Sequence, residues 1–339
     1  MKAVNDGPYI FYKENNILVK SIVVKRGKSS VQSAHFTLAQ KDEITVNCTF
    51  PEHPDWNFST RLKSALGTAA SVYPPAEKIL ALSDIEGNFE AFRSLLLGNG
   101  VIDKQYNWTF GKGHLVLVGD CFDRGEHVTP CLWLLYSLEE KALQQGGYVH
   151  FILGNHEIMN MSGDLRYLHD QYLYHAQLLG VDYRQLYSPA TELGRWLITK
   201  NIMEKVGPVL FVHGGIATFV NILGYPLQAL NQLCRPWYFT PELAPPVVYE
   251  LLSSSDSPFW YRGYAMGDAG VQQVNNTLRK FDVQHIVIGH TTVEQATSFF
   301  NGKVIAIDTP HAFGVSEGVL IRGDGIFRVG KEGRKERLV

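Results

Sequence analysis

The fold is decided by LVLVGDCFDRG, the stretch Leu115–Gly125, in which four apolar residues run directly into a glycine and two aspartates. A short apolar run that ends at a glycine turn is typical of a buried strand. Asp120 and Asp123 fall just beyond the end of that strand. Open α/β sheets bind ligands at the carboxyl ends of their strands, so this stretch predicts a polar site on an α/β scaffold.

Four other segments also place Asp, Glu, Asn or His next to a glycine. They read SDIEGN at 83–88, GNHE at 154–157, VHGG at 212–215 and IGHT at 288–291. All but the last follow an apolar run that indicates a buried strand. Carboxylates and imidazoles gathered at several strand ends are the donors that a metal site requires. The set therefore predicts an enzyme.

Composition places the chain among ordinary globular proteins. Of its 339 residues, 45% are hydrophobic and 19% are charged, and the formal net charge is -2. Such a chain has no broad basic surface, so nucleic acid is not an expected partner. No apolar run approaches the length of a membrane-spanning helix, so we expect no membrane association. The start, Met1–Asp6, lacks the apolar core of a secretory signal and predicts the cytoplasm, although a leader already removed would leave no trace.

Residues 1–75 predict a small antiparallel β module. Ile44, Val46, Cys48 and Phe50 alternate with polar residues, which is the period of a half-buried strand. No constellation of chemically active residues occurs within this segment. We therefore expect an accessory role for it, in packing or in docking a partner.

Residues 76–339 predict one catalytic domain. Apolar runs alternate with glycine turns and helical patterns, and a second group of strands with hairpin-type connections follows residue 286. This alternation predicts a mixed α/β sandwich of two packed sheets. Two insertions, at about 158–207 and 216–261, are rich in aromatic and polar residues. They predict either a cap over the substrate or a plain helical subdomain.

Asp120 is the candidate bridge between two metal ions. The other candidate ligands are Asp84 and Glu86 for one ion and Asn155, His213 and His290 for the second. Carboxylate oxygens combined with imidazoles suit Mn, Fe or Zn. Two ions roughly 3.5–4 Å apart can share a hydroxide nucleophile and neutralise the charge of a phosphate. A purely structural role for all six is disfavoured because six buried polar groups would each need partners.

Asp123 and His156 form a second candidate unit. A histidine beside a carboxylate can be held protonated and can then donate its proton to a leaving alkoxide. Arg124 and Arg262 offer planar, permanently charged groups that can bind phosphate oxygens. For Arg262, a structural salt bridge is an almost equally good interpretation.

The five segments together resemble the calcineurin-like metallophosphoesterase superfamily. The combination of DRG at 123–125, GNHE at 154–157 and HGG at 213–215 is similar to the phosphoprotein phosphatases. GNHEIMNMSGDLRY at 154–167 and WYRG at 260–263 resemble their bacterial, Shewanella-like branch. The resemblance covers about Ile79 to Val329. It implies the α/β/β/α sandwich, the dinuclear site and single-step attack by a metal-bound hydroxide, and it says nothing about residues 1–75.

Glu86 departs from the family pattern, which normally has a histidine at this position. A carboxylate can still bind the first ion, and its extra negative charge favours a harder metal, so we expect Mn ahead of Fe or Zn. The alternative is that Glu86 leaves the first metal position weak or empty.

Three functions follow from these residues. The first is a metal-dependent phosphomonoesterase that acts on phosphoserine or phosphothreonine in proteins, or on a small phosphate monoester. The second is a nucleotide or dinucleoside polyphosphate hydrolase of the same superfamily, because the glycine-flanked loops are shared. The third is a non-catalytic binding module on a degenerate site, which only Glu86 suggests. The sequence gives neither the physiological substrate nor the oligomeric state.

Overall fold

The computed structural model of the chain describes residues 4–323 and 325–339. Its strands are β1 (Asp6–Lys13), β2 (Asn16–Lys25), β3 (Lys28–Thr37), β4 (Thr45–Cys48), β5 (Phe58–Arg61), β6 (Val72–Tyr73), β7 (Lys78–Leu82), β8 (His114–Val118), β9 (Tyr148–Ile152), β10 (Met203–Val206), β11 (Val209–Val212), β12 (His285–Ile288), β13 (Thr297–Phe299), β14 (Val304–Ala306), β15 (Glu317–Arg322), β16 (Gly325–Gly330) and β17 (Lys335–Arg337). Its helices are α1 (Phe89–Gly98), α2 (Val128–Leu143), α3 (Asn155–Ser162), α4 (Asp170–Leu179), α5 (Glu192–Leu197), α6 (Thr218–Ile222), α7 (Leu227–Cys234), α8 (Pro246–Ser253), α9 (Gly263–Met266) and α10 (Val271–Phe281).

The first large sheet has the strand order β17-β16-β15-β7-β8-β9. β7, β8 and β9 are parallel, and β15 lies antiparallel to β7. The parallel strands therefore end at the same edge, at Leu82, Val118 and Ile152. The SDIEGN, GDCFDRG and GNHE segments begin within two residues of those ends.

The second large sheet has the order β13-β14-β12-β11-β10-β6. β11, β12 and β14 are parallel, whereas β10 is antiparallel to β11. β11 ends at Val212 and β12 at Ile288, immediately before the HGG and GHT segments. All five polar segments thus follow strands that have a parallel neighbour; the sequence had predicted a buried strand before four of them.

The core has two layers, one between the sheets and one under the helices, because the strands have two apolar faces. In β7, Ile79 and Ala81 belong to the layer between the sheets, whereas Leu80 and Leu82 belong to the core under the helices. Phe211 of β11 lies in the same inter-sheet layer and is fully buried. Because successive side chains of a strand point to opposite faces of the sheet, each sheet can pack against the other sheet on one face and against helices on the other. The predicted two-sheet sandwich is confirmed.

An antiparallel β module precedes the sandwich, as expected. β1, β2 and β3 form a three-stranded sheet, and β4 pairs with β5 as a hairpin. The backbone N–H of Tyr12 donates to Ala190 O over 2.7 Å, and Lys20 Nζ donates to Leu179 O over 2.6 Å. The first sheet therefore packs against the segment that contains α4 and α5. The division at residue 75 and the cap role of the two insertions stay predictions.

None of the helices among the described residues combines the length and apolar character needed to cross a bilayer. The four cysteines are buried and free. A cytoplasmic location stays a prediction.

Phe211→Ala tests the inter-sheet layer. Removing a fully buried ring should lower the free energy of unfolding by about 3–5 kcal/mol because it leaves a cavity between the sheets. Phe313→Ala is the matched control, since Phe313 is 88% exposed and a surface change of this kind has an effect within about 0.5 kcal/mol. Urea unfolding of both variants measures the difference. Equal losses would contradict the assignment of Phe211 to the core.

Candidate active site

Asp120 lies at the centre of the site, where loops after β8, β9 and β11 meet. Its Oδ2 is 3.0 Å from Nε2 of His213 and 3.6 Å from Nε2 of His156. Its Oδ1 accepts the backbone N–H of His156 over 3.0 Å. Oδ1 of Asn155 lies 2.9 Å from His213 Nε2. The structure therefore brings four of the predicted residues together.

His213 shows what this centre requires. Its Nδ1 donates to the carbonyl oxygen of Val118 over 2.7 Å, so in the neutral ring Nε2 carries a lone pair. That lone pair faces the oxygens of Asp120 and Asn155, which are acceptors too. Burial alone would lower the pKa of His213, but the charge of Asp120 raises it to about 10. A cation, either a proton or a metal ion, is needed between these three atoms.

His290 and Asp84 complete the same side of the site. The Asp84 carboxylate accepts the backbone N–H of His290 over 3.1 Å. The His290 ring lies 5.1 Å from the His213 ring, and one donor atom each from Asp120, His213 and His290 lie within 4.8 Å of one another. Nε2 of His290 is buried and has no hydrogen-bond partner among the described residues. The fold therefore holds this nitrogen in a fixed position in which no described protein group forms a hydrogen bond with it.

Glu86 lies between the metal candidates and Arg124. Donor atoms of Glu86, Asp120 and His156 also lie within 4.8 Å of one another. Oε1 of Glu86 is 3.0 Å from Nε of Arg124. Burial raises the pKa of Glu86 to about 8 even though Arg124 opposes the shift. The position permits metal binding and also gives Glu86 a second partner.

The donor set fits divalent metal ions. Acidic side chains gathered out of water are stable together only when positive charge is added. Burial and then the charge of Asp308 raise the pKa of Asp84, which shows how unfavourable the uncompensated carboxylates are. Bound cations would give His290 Nε2 a partner. They would also remove the repulsion between the three acceptor atoms at His213. The assignment of individual ligands stays a prediction.

Asp123 and His156 are paired as predicted. Nδ1 of His156 donates to Oδ2 of Asp123 over 2.6 Å, and Asp123 is fully buried. Nδ2 of Asn160 donates to the other Asp123 oxygen over 2.8 Å, and the Tyr183 hydroxyl donates to Asn160 over 2.6 Å. Burial would lower the pKa of His156, but Asp120 and Asp123 raise it to about 9. The imidazole is therefore oriented, with Nε2 turned towards the Asp120 carboxylate.

The two arginines lie at the rim. The Arg124 side chain is 57% exposed, and its guanidinium is 5.5 Å from the centre of the Tyr167 ring. Nη1 of Arg262 donates to the backbone oxygen of His290 over 2.6 Å. Arg262 is exposed and is tied to a backbone carbonyl beside the centre. Both guanidinium groups are within reach of solvent at the site.

Sequence reasoning missed residues that support the site. Glu157 is fully buried and accepts the N–H groups of Asp120, Cys121 and Gly154 over 2.9, 2.7 and 2.6 Å. It fixes the loop after β8 to the start of α3. The signal was available, because Glu157 ends the GNHE segment itself. Asp308 was also missed, although it lies two residues after the end of β14 and so resembles the other strand-then-carboxylate segments.

The backbone at the site is unusual. Six of the residues named above have a positive φ angle, between 46° and 71°: Asp84, Glu86, Asp120, Asp123, Arg124 and His290. Non-glycine residues rarely adopt this region, and such residues concentrate at functional sites. Gly154 has a different role, since a Cβ atom there would clash with the Asp120 carboxylate. The site residues therefore adopt unfavourable backbone conformations that place their polar groups in the site.

Comparison with known proteins agrees with this geometry. Residues 77–294 match the sequence model of the calcineurin-like phosphoesterases. The chain belongs to the calcineurin-like phosphoesterase family. Members of this family are metal-dependent hydrolases of phosphate esters, and the sequence-based assignment of the chain to that enzyme class is confirmed.

Individual similar proteins indicate which branch of the family this chain resembles. Shewanella-like protein phosphatase 1 of Plasmodium berghei (strain Anka) is 26% identical, covering 68% of this chain and 66% of its own length. Shewanella-like protein phosphatase 2 of Arabidopsis thaliana is also 26% identical, covering 72% and 73%. The crystal structure of a cold-active protein-tyrosine phosphatase of a psychrophile Shewanella sp. is 33% identical over 99% of both chains, with a TM-score of 0.89. The resemblance to the Shewanella-like branch is confirmed.

Glu157→Gln tests the support of the site. A glutamine amide nitrogen cannot accept an N–H, so at least one donor bonded to Glu157 would lose its partner. We expect the free energy of unfolding to fall by about 1.5–3 kcal/mol, the range for hydrogen bonds to a charged group. Glu140→Gln, at an exposed position of α2, should change stability by less than about 0.5 kcal/mol. Urea unfolding compares the two, and an unchanged midpoint for Glu157→Gln would refute this role.

Proposed function

We propose that the protein is a metal-dependent phosphomonoesterase that dephosphorylates phosphorylated proteins. The observation that carries this proposal is the position of His156, hydrogen-bonded to Asp123 over 2.6 Å while its Nε2 lies 3.6 Å from Asp120. A proton donor is thereby held beside the candidate metal centre and below the rim on which Arg124 lies. Such an arrangement suits protonation of a leaving oxygen next to a bound phosphate.

The candidate metal ligands remain those predicted from the sequence: Asp84, Glu86, Asp120, Asn155, His213 and His290. Bound divalent ions would activate water as the nucleophile and neutralise the phosphate charge. The carboxylate, amide and imidazole groups of these six residues suit Mn, with Fe or Zn as alternatives.

The chain's own residues would do the remaining work. Arg124 and Arg262 would bind phosphate oxygens through charge-assisted hydrogen bonds. His156 would donate the proton on Nε2 to the leaving alkoxide. Asp123 would hold the imidazole in the orientation that makes this possible, and Asn160 would fix Asp123 in turn.

The substrate class rests on the relatives. Two curated relatives carry the name protein phosphatase, which supports a phosphorylated protein as the substrate. The sequence expectation is phosphoserine or phosphothreonine, or a small phosphate monoester. A second candidate, phosphotyrosine, is supported by the 33% identity to the enzyme described as a protein-tyrosine phosphatase. A dinucleoside polyphosphate hydrolase and a non-catalytic binding module stay alternatives.

His156→Ala tests the proposed proton donor. With Mn²⁺ and p-nitrophenyl phosphate, wild-type protein should release p-nitrophenolate, and the variant should lose about 10²–10⁴-fold in kcat, the usual contribution of general acid catalysis. Asp120→Asn should also abolish turnover. His35→Ala, at an exposed position of β3, is the control and should keep full activity. A folded wild-type protein that turns over no phosphate ester with any divalent metal would favour the binding module.

Glu86→His tests the departure from the family pattern. If Glu86 binds the first ion, the imidazole should change both Mn²⁺ affinity and the rate, because it removes one negative charge from the site. Equilibrium dialysis with metal analysis measures occupancy separately from activity. Unchanged occupancy and rate would contradict the assignment of Glu86 as a ligand.

A substrate panel separates the enzymatic alternatives. Phosphoserine, phosphothreonine and phosphotyrosine peptides of one sequence, together with a dinucleoside polyphosphate, should be compared at the same metal concentration. We expect the phosphopeptides to have the higher kcat/KM, measured as released phosphate. A clear preference for the dinucleotide would overturn the protein phosphatase assignment.

A further inference from the structure

A cavity of about 430 Å³ opens beside the candidate metal centre. Glu86 and Arg124 of the site form one side of it. Phe50 and Trp56 form another side and belong to the segment between β4 and β5. The N-terminal module, to which sequence reasoning assigned no chemistry, therefore supplies part of the wall next to the reacting centre.

The wall from this module is aromatic. The Phe50 ring lies 4.6 Å from the Phe89 ring and 5.2 Å from the His127 ring. His53 is stacked on Trp56, with ring centres 4.0 Å apart and planes inclined by 12°. All five side chains line the cavity. Aromatic faces of this kind attract organic cations as well as apolar groups.

The charges of the residues that line the cavity distinguish between a cationic and an apolar ligand. Glu90 and Glu126 also line the cavity, in addition to Asp84 and Glu86 of the candidate metal site. Among its described lining residues, the single permanent cation is Arg124, whose Nε is paired with Glu86 over 3.0 Å. The cavity is therefore negative outside the metal centre, which favours a cationic ligand over an apolar one.

We propose that this cavity binds the cationic side chain of a lysine or arginine that lies close in sequence to the phosphorylated residue of a peptide substrate. The inference rests on the proposed function and specifies its substrate. A guanidinium or ammonium group carries positive charge and packs on aromatic rings, which matches the acidic and aromatic residues of the wall. Residues 45–61 are then a specificity element of the enzyme.

An arginine scan tests this proposal with full-length, Mn²⁺-loaded protein. One phosphopeptide sequence carries arginine in turn at each of the three positions on either side of the phosphorylated residue, and matched peptides carry citrulline or norleucine there. We expect arginine to raise kcat/KM about tenfold over citrulline at one or two neighbouring positions, through KM, since an exposed ion pair and a cation–π contact add. High salt should reduce the advantage.

Glu90→Gln combined with Glu126→Gln tests the acidic side of the wall. Both side chains lie outside the proposed catalytic groups, so the double variant should hydrolyse p-nitrophenyl phosphate at the wild-type rate. Its arginine-over-citrulline ratio should fall to about twofold or less. Glu250→Gln, at an exposed position of α8 away from the cavity lining, should leave the ratio unchanged.

The outcomes separate this proposal from the proposed function. Turnover of phosphopeptides without an arginine advantage, or with norleucine preferred, would overturn the cationic pocket and leave the phosphatase intact. If no substrate is turned over, the proposed function fails. Fluorescence anisotropy with labelled, non-hydrolysable phosphonate versions of the same peptides then decides. Arginine-dependent binding that the double variant weakens supports the pocket, and equal binding of the arginine and citrulline peptides overturns it.

Discussion

Three acceptor atoms face one another at the centre of this molecule, and the rest of the site is arranged around that conflict. Nε2 of His213 points at oxygens of Asp120 and Asn155, each within 3.0 Å. Because the opposite ring nitrogen of His213 is committed to the Val118 carbonyl, the ring cannot turn to relieve the contact. A proton on His213 or a metal ion between these atoms makes the arrangement favourable. The need for positive charge is thus built into the fold, and a bound metal ion at this candidate centre would meet it.

Such a centre has to be held in place by groups that do not themselves react. The Glu157 carboxylate does this for the loops after β8 and β9 because it accepts backbone N–H groups from both. Positive φ angles at six site residues are each unfavourable by about 1–3 kcal/mol, so this strain has to be offset by the two apolar cores. The apolar cores and the buried carboxylate of Glu157 therefore have different roles: the cores stabilise the fold, and the carboxylate holds the strained loops in place.

The sequence predicted the strands that carry the site because the signal is local. An apolar run that ends at a glycine marks the strand end, and the polar residue after it must then lie at the edge of the sheet. Asn160 was missed for a different reason. Its role depends on which side chains it meets in space, and it is recognisable only once His156 and Asp123 are known to be paired. The same holds for Phe50 and Trp56, whose position beside Glu86 follows from how the β4–β5 hairpin packs and not from their own pattern.

Glu86 shows how one substitution can connect two parts of the mechanism. Its carboxylate lies near Asp120 and pairs with Arg124 over 3.0 Å. Arg124 is also the candidate ligand for a phosphate oxygen, so Glu86 competes with the substrate for it. A metal ion bound to Glu86 would neutralise part of its charge and weaken its attraction for Arg124. If Glu86 holds the first ion, charge balance would couple the two sites: an ion there would weaken the attraction of Glu86 for Arg124 and would leave the guanidinium freer to bind phosphate. An imidazole at position 86 has no permanent charge with which to hold Arg124, and that coupling would be absent.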